Sequence, residues 1–307
     1  MKRDLLELDE LSRPELLGLL RRTAELKAMR RHGGHCFTLR GRTLAMVFEK
    51  ASTRTRVSFD VAMNQLGGHA IMMAARDIQI GRGEPIADTA RVLSRYVDGI
   101  MLRTYQHANV VELARCATVP VVNGLTDLAH PCQVLADLFT CQEHFPDLGA
   151  LKIAYVGDGN NMANSWINAA RVLGFELSLA CPEGYDPHGP TFEAAREAGA
   201  RLTMHRVAKD AARGAHVVNT DVWASMGQEE EQAVRAGVFA PFQVSAEVMA
   251  VARPEAIFLH CLPAHRGEEV SSEVIDGPQS RVFDQAENRL HVQKAILEWL
   301  LGGRELC

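Results

Sequence analysis

The chain has 307 residues, 47% hydrophobic and 23% charged, a globular composition long enough for two domains. That excludes a disordered, fibrous or disulfide-rich scaffold, and no apolar run approaches the roughly 18 residues of a membrane-spanning helix. The net charge of -5 argues against non-specific nucleic-acid binding. It is unevenly spread: residues 1–120 hold 19 Lys and Arg against 13 Asp and Glu, and residues 121–307 hold 14 against 25. Either helix surfaces carry charge arbitrarily, or an anionic ligand is held by the first half. The start, Met1-Lys2-Arg3-Asp4, has no apolar signal core, and a cytoplasmic protein is expected. Seven scattered cysteines without a Cys-x-x-Cys pair fit a reducing compartment and disfavour a structural zinc site.

Short apolar runs alternate with amphipathic stretches, the pattern of an α/β protein. Residues 43–48 (TLAMVF) predict a buried strand, 54–66 a helix ended by Gly67-Gly68, and 69–73 a second strand. A helix over 86–96 and a strand over 99–102 follow. Residues 130–144 form a helical pattern carrying Val134, Leu135, Leu138 and Phe139. A second set begins with a strand at 152–156, a Gly157-Asp158-Gly159 turn and a helix at 162–173. Strands at 175–180, 216–219 and 256–260, a helix at 191–198 and a last helix at 285–301 complete it. The pattern predicts two α/β halves joined near 130–150.

The strongest chemical signal is Ser52-Thr53-Arg54-Thr55-Arg56, after a strand and at the start of a helix. Helix N-termini present unpaired N–H groups and partial positive charge, and here hydroxyls and two guanidinium forks are added for phosphate oxygens. An N-cap serine followed by surface arginines is the plainer alternative, but it leaves five successive polar donors unexplained. The glycines and lysine of a Walker loop are absent. Arg103 ends a strand, where open parallel sheets hold ligands, although a lone arginine there is more often a surface residue. His130 and Gln133 lie one helical turn apart, suited to a carbonyl or carbamoyl group, or to a capping turn.

Gly157-Asp158-Gly159-Asn160-Asn161 invites a dinucleotide reading. Met162 occupies the third glycine position and Cys181-Pro182 replaces an acidic ribose partner, so a polar substrate suits the turn better. The run from Asp221 through Ser225 and Met226 to Gly227 offers a carboxylate and a hydroxyl to an amine. In His260-Cys261-Leu262-Pro263, neighbouring strand residues face opposite ways, so His260 is badly placed to activate Cys261. The thiol reads instead as a polar pocket wall.

These motifs, in this order, resemble the aspartate/ornithine carbamoyltransferase family over essentially the whole chain. Residues 48–56 (FEKASTRTR) are similar to its carbamoyl phosphate loop and residues 130–133 (HPCQ) to its second signature. Residues 221–227 (DVWASMG) and 260–263 (HCLP) resemble the ornithine branch. The resemblance implies two doubly wound parallel-sheet domains joined by helices, with the C-terminal helix packing back on the first. Residues 1–135 plus 288–307 would bind carbamoyl phosphate and residues 136–287 would bind ornithine.

The implied reaction makes L-citrulline and phosphate from carbamoyl phosphate and L-ornithine, more in arginine biosynthesis than breakdown, with no metal or organic cofactor. Ser52, Thr53, Arg54, Thr55 and Arg103 would bind phosphate, and His130 and Gln133 the carbamoyl group. Asn161, Asp221, Ser225 and Met226 would hold ornithine, with Cys261 and Leu262 at the reaction centre. Arg289 would return from the C-terminal segment to carbamoyl phosphate. Gln79 would reach a neighbouring subunit's site in a homotrimer, or in a multiple of trimers. Of these, Cys261, Arg103, His130 and Asp221 are the expected catalytic set. Alternatives are a related enzyme acting on putrescine or an N-acylated ornithine, and a non-catalytic binding paralogue.

Overall fold

The computed structural model describes residues 2–74, 83–224 and 232–306. The chain divides into two compact units, Met1–Phe139 with Glu287–Cys307, and Thr140–Ala286. In the first, α1 (Arg13–Arg31) precedes β1 (Thr43–Phe48), α2 (Thr53–Gln65), β2 (His69–Ala74), α3 (Ile86–Leu93), β3 (Gly99–Arg103), α4 (His107–Cys116) and β4 (Val121–Leu125). Helix α5 (Pro131–His144) leads into the second unit. There follow β5 (Lys152–Val156), α6 (Asn161–Leu173), β6 (Glu176–Ala180), α7 (Gly189–Glu197), β7 (Arg201–His205), α8 (Ala208–Ala212) and β8 (Val217–Thr220). Then come α9 (Gln232–Phe239), α10 (Ala246–Met249), β9 (Ile257–His260), α11 (Ser272–Ile275) and α12 (Val282–Gly302).

Both sheets are parallel, ordered β2-β1-β3-β4 and β7-β6-β5-β8-β9. The central strands are apolar runs because both faces are covered: β1 is buried from Leu44 to Phe48 and β3 throughout. The winding reverses between β1 and β3 in one sheet and between β5 and β8 in the other. Crevices at the carboxyl ends of such strand pairs are where doubly wound sheets hold ligands. Residues 49–56 and Arg103 stand at the first reversal, and residues 157–161 and Asp221 at the second.

Local chemistry explains the element ends nearest these crevices. Ser52 caps α2 by accepting from the Thr55 N–H (3.2 Å), and Asn160 caps α6 by accepting from the Met162 N–H (2.9 Å). The tight turn after β5 needs Gly159, because a Cβ there would lie 2.3 Å from the backbone of Asp186 and Pro187. Helix α12 returns to the first unit, where Glu298 accepts from Arg22 Nε (2.6 Å) and Nη2 (3.0 Å). Lys27 donates to Asn288 (2.6 Å), and Leu301 fills the space a side chain at Gly99 would need.

The helix predicted over 86–96 stops at Leu93, and the last helix begins three residues before the predicted 285. The apolar pattern predicts none of α1, α4, β4, β7, α8, α9, α10 and α11.

Candidate active-site halves

In the first unit the α2 N-terminus meets three arginines. Thr55, buried beneath the loop, uses Oγ1 to accept from Arg289 Nη2 (2.8 Å) and Arg103 Nη1 (3.4 Å). Arg289 also donates to Gln133 Oε1, and Gln133 Nε2 donates to Asp137 (2.8 Å). Arg103 comes from the end of β3, His130 and Gln133 from the start of α5, and Arg289 from α12. Arg54 lies exposed in the first turn of α2 beside exposed Thr53 and half-buried Ser52.

The electrostatics of this half are cationic. Burial, then the charges of Arg289, Arg103 and Arg54, holds the His130 imidazole well below its ordinary pKa of 6.5. His130 is therefore a neutral hydrogen-bonding group in a field of guanidiniums. Neighbouring Cys132 is buried and pushed up to about 12, which makes it an inert thiol.

The loop is pinned by two residues of its own, Glu49 and Lys50. Glu49 accepts from the Thr104 hydroxyl, and its N–H donates to the Arg103 carbonyl (2.8 Å). Buried Lys50 pairs with Asp127 and lies 4.2 Å from the Tyr105 ring centroid.

In the second unit, three strand ends converge. Asp221, after β8, accepts at Oδ1 from the Val222 N–H (2.8 Å) and the Cys261 thiol (3.0 Å). Its Oδ2 accepts from Asn160 Nδ2 (2.9 Å). Asn161 opens α6 beside Asn160, and Cys261 with Leu262 follows β9. The His260 ring is buried and engaged on both sides: Nδ1 accepts from the Leu262 N–H (2.9 Å) and Nε2 donates to Glu269 (3.1 Å). Although burial pushes the Glu269 carboxyl up, the bonds from His260 and the His265 N–H win and hold it below its ordinary range. Thus His260 supports the loop and is not a base for Cys261. Asp221, His260 and Cys261 bring one donor atom each within 4.8 Å of one another, but the imidazole's Nδ1 is already spent on Leu262.

Arg235 on α9 had no sequence signal. Its buried guanidinium donates to Asp158 (2.9 Å) and to the Trp223 carbonyl (2.7 Å), and it stands 4.9 Å from the Tyr185 ring centroid. It joins the turn after β5 to the segment after β8. Of the expected site residues, the structure gathers Thr55, Arg103, Gln133 and Arg289 by contact, with His130 and Arg54 in their field. In the second unit it joins Asp221 to Cys261. Gln79, Ser225 and Met226 lie outside the described residues.

Comparisons with known proteins agree with this two-part layout. Residues 3–143 match the carbamoyl-P binding domain of the aspartate/ornithine carbamoyltransferases, and residues 150–300 match their Asp/Orn binding domain. An ornithine carbamoyltransferase of Syntrophotalea carbinolica is 57% identical over 302 residues, covering 98% of this chain and 100% of the relative. An anabolic ornithine carbamoyltransferase of Pseudomonas aeruginosa is 53% identical, with 97% of each chain covered. Among solved structures, the ornithine carbamoyltransferase of Pyrococcus furiosus superposes with a TM-score of 0.94 at 50% identity, covering 99% of this chain and 98% of that one.

Proposed function

The chain belongs to the aspartate/ornithine carbamoyltransferase family, and from that premise we propose an enzyme that carbamoylates the δ-amine of L-ornithine, giving L-citrulline and phosphate. The observation that carries this reading is the α2 terminus, where two buried arginines converge on Thr55 beside a neutral His130. Residues 52–55 with Arg103 and Arg289 hold the phosphate and carbamoyl groups, and His130 and Gln133 face the carbamoyl end. Asn161 and Asp221, with Ser225 and Met226, hold ornithine. The anabolic relative supports a role in arginine biosynthesis.

The δ-amine must attack uncharged, so its proton goes to the Asp221–Cys261 pair at the strand ends of the second unit. The new N–C bond forms as negative charge grows on the carbamoyl oxygen, where Arg103, His130 and the Thr55 hydroxyl act as donors. The C–O bond to phosphate then breaks, and phosphate leaves into the cationic cradle of α2. A neutral His130 serves this better than a charged one, because it donates without repelling the guanidiniums beside it.

We further propose a cytoplasmic homotrimer. None of the six described cysteines is in a disulfide, which fits a reducing compartment. Among the described residues, no helix is long and apolar enough to cross a membrane. Strand β2 ends its sheet and exposes Ile71 and Met72, apolar edge surface suited to burial by a second copy.

The direct test offers carbamoyl phosphate with ornithine, N-acetylornithine, putrescine or aspartate and measures ureido product. Turnover with ornithine alone is expected. Turnover with another acceptor would keep the phosphate half and overturn the amine half, and no turnover from folded protein would favour a binding-only paralogue.

A further inference from the structure

The amine half contains a buried chain of hydrogen bonds that begins away from the expected site residues. Tyr155, fully buried on β5, donates its hydroxyl to Asn160 Oδ1 (3.0 Å). That oxygen also accepts from the Met162 N–H (2.9 Å). With two donors on its oxygen, the Asn160 amide has one orientation, and its Nδ2 must face Asp221 Oδ2 (2.9 Å). The Asp221 carboxylate then meets three donors: Asn160, the Val222 N–H and the Cys261 thiol.

We infer that Asn160, oriented by Tyr155, is a positioning residue that aims the Asp221 carboxylate at the substrate amine. Burial, and after it the groups at Asp221, Asp158, Cys181 and Cys261, pushes the Tyr155 hydroxyl well above its ordinary pKa. It therefore remains a donor throughout the working pH range and cannot reverse the chain. Asn160 does two jobs with two atoms. Its oxygen caps α6, and its nitrogen steers Asp221.

The inference rests on the assignment of Asp221 to ornithine, and the two jobs can be separated. Serine and aspartate are both good N-caps, but neither supplies an amide donor to Asp221. Asn160→Ser should keep a melting temperature close to wild type, and both Asn160→Ser and Asn160→Asp should keep the carbamoyl phosphate KM. They should lower kcat/KM for ornithine by at least about tenfold, the factor expected for a hydrogen bond to a charged group, with Asn160→Asp worse because it sets two carboxylates together. Tyr155→Phe should move the same parameter in the same direction by roughly threefold, since the Met162 N–H still holds the amide.

Asp221→Asn, measured alongside, tells the two possible failures apart. Wild-type ornithine kinetics in Asp221→Asn would sink the ornithine assignment and this inference with it. A fall in Asp221→Asn with wild-type kinetics in both Asn160 variants would overturn the inference alone. Equal losses of stability and of both substrates' kcat/KM in the Asn160 variants would also overturn it, reducing Asn160 to a helix cap.

Discussion

The two crevices occupy equivalent places, each at the reversal of a parallel sheet, yet they are built from opposite materials. The first is a helix N-terminus surrounded by guanidiniums, with an imidazole kept neutral by burial and then by that positive field. The second is a carboxylate held by an amide, a backbone N–H and a thiol. Fold sets where a ligand binds, and the side chains carried on the strand ends set what it is. One half suits an anion and the other an amine, which gives a reason for the +6 and -11 division of charge between residues 1–120 and 121–307.

The sharpest way to break this contrast is to remove a buried cation. Arg103→Leu should lower kcat/KM for carbamoyl phosphate by about 10²–10³-fold, the usual cost of losing one preorganised transition-state donor. Steady-state kinetics would check this, and a loss below about tenfold would remove Arg103 from the cradle.

Arg235→Leu tests the scaffold of the amine half. It breaks the ion pair between Arg235 and the Asp158 carboxylate, whose side chain is only 12% exposed. Denaturant unfolding should show a loss of about 3 kcal/mol, because a buried ion pair is broken from one side. The ornithine KM should rise while the carbamoyl phosphate KM stays constant.

A milder change separates charge from geometry. Arg54→Lys keeps the charge but loses the planar fork, and should weaken carbamoyl phosphate binding by about tenfold. Wild-type affinity in a titration would count against the cradle assignment.

The smallest expected effect is on the pH dependence of stability. His130 is held below its ordinary value of 6.5, and His291 is lowered to about 4, by burial first and against the pull of Glu287. Below pH 6.5 the unfolded chain therefore binds more protons than the native one. Stability from these groups is intact above pH 6.5 and falls as pH drops, with the His291 share lost between 6.5 and about 4. Melting curves from pH 7.5 to 4.5 should decline less steeply in His291→Gln than in wild type.

The anion half was easier to read in the sequence because residues 52–56 are contiguous and lie between a plain strand and a plain helix. Arg289, on α12, came only from the resemblance, since nothing about its spacing links it to Thr55. The amine half joins the ends of β5, β8 and β9, and its supports are more scattered still. Arg235 lies in a segment for which the apolar pattern predicts no element, and Tyr155 sits inside a plain apolar run. Glu269 belongs to no motif, yet it is fully buried against His260.

The same physics explains the missed elements. Helix α1 buries Leu16, Leu19, Leu20 and Leu26 but also Arg22 and Lys27, whose long apolar stems blur the contrast between its faces. Strand β7 lies at a sheet edge with every residue at least partly exposed, so it lacks the apolar run that marks the central strands.

The most direct test of the division of labour is a calorimetric titration of carbamoyl phosphate into wild type, Arg103→Leu and Asp221→Asn. Binding should be lost in Arg103→Leu and remain at wild-type affinity in Asp221→Asn. Equal weakening in both variants would contradict it.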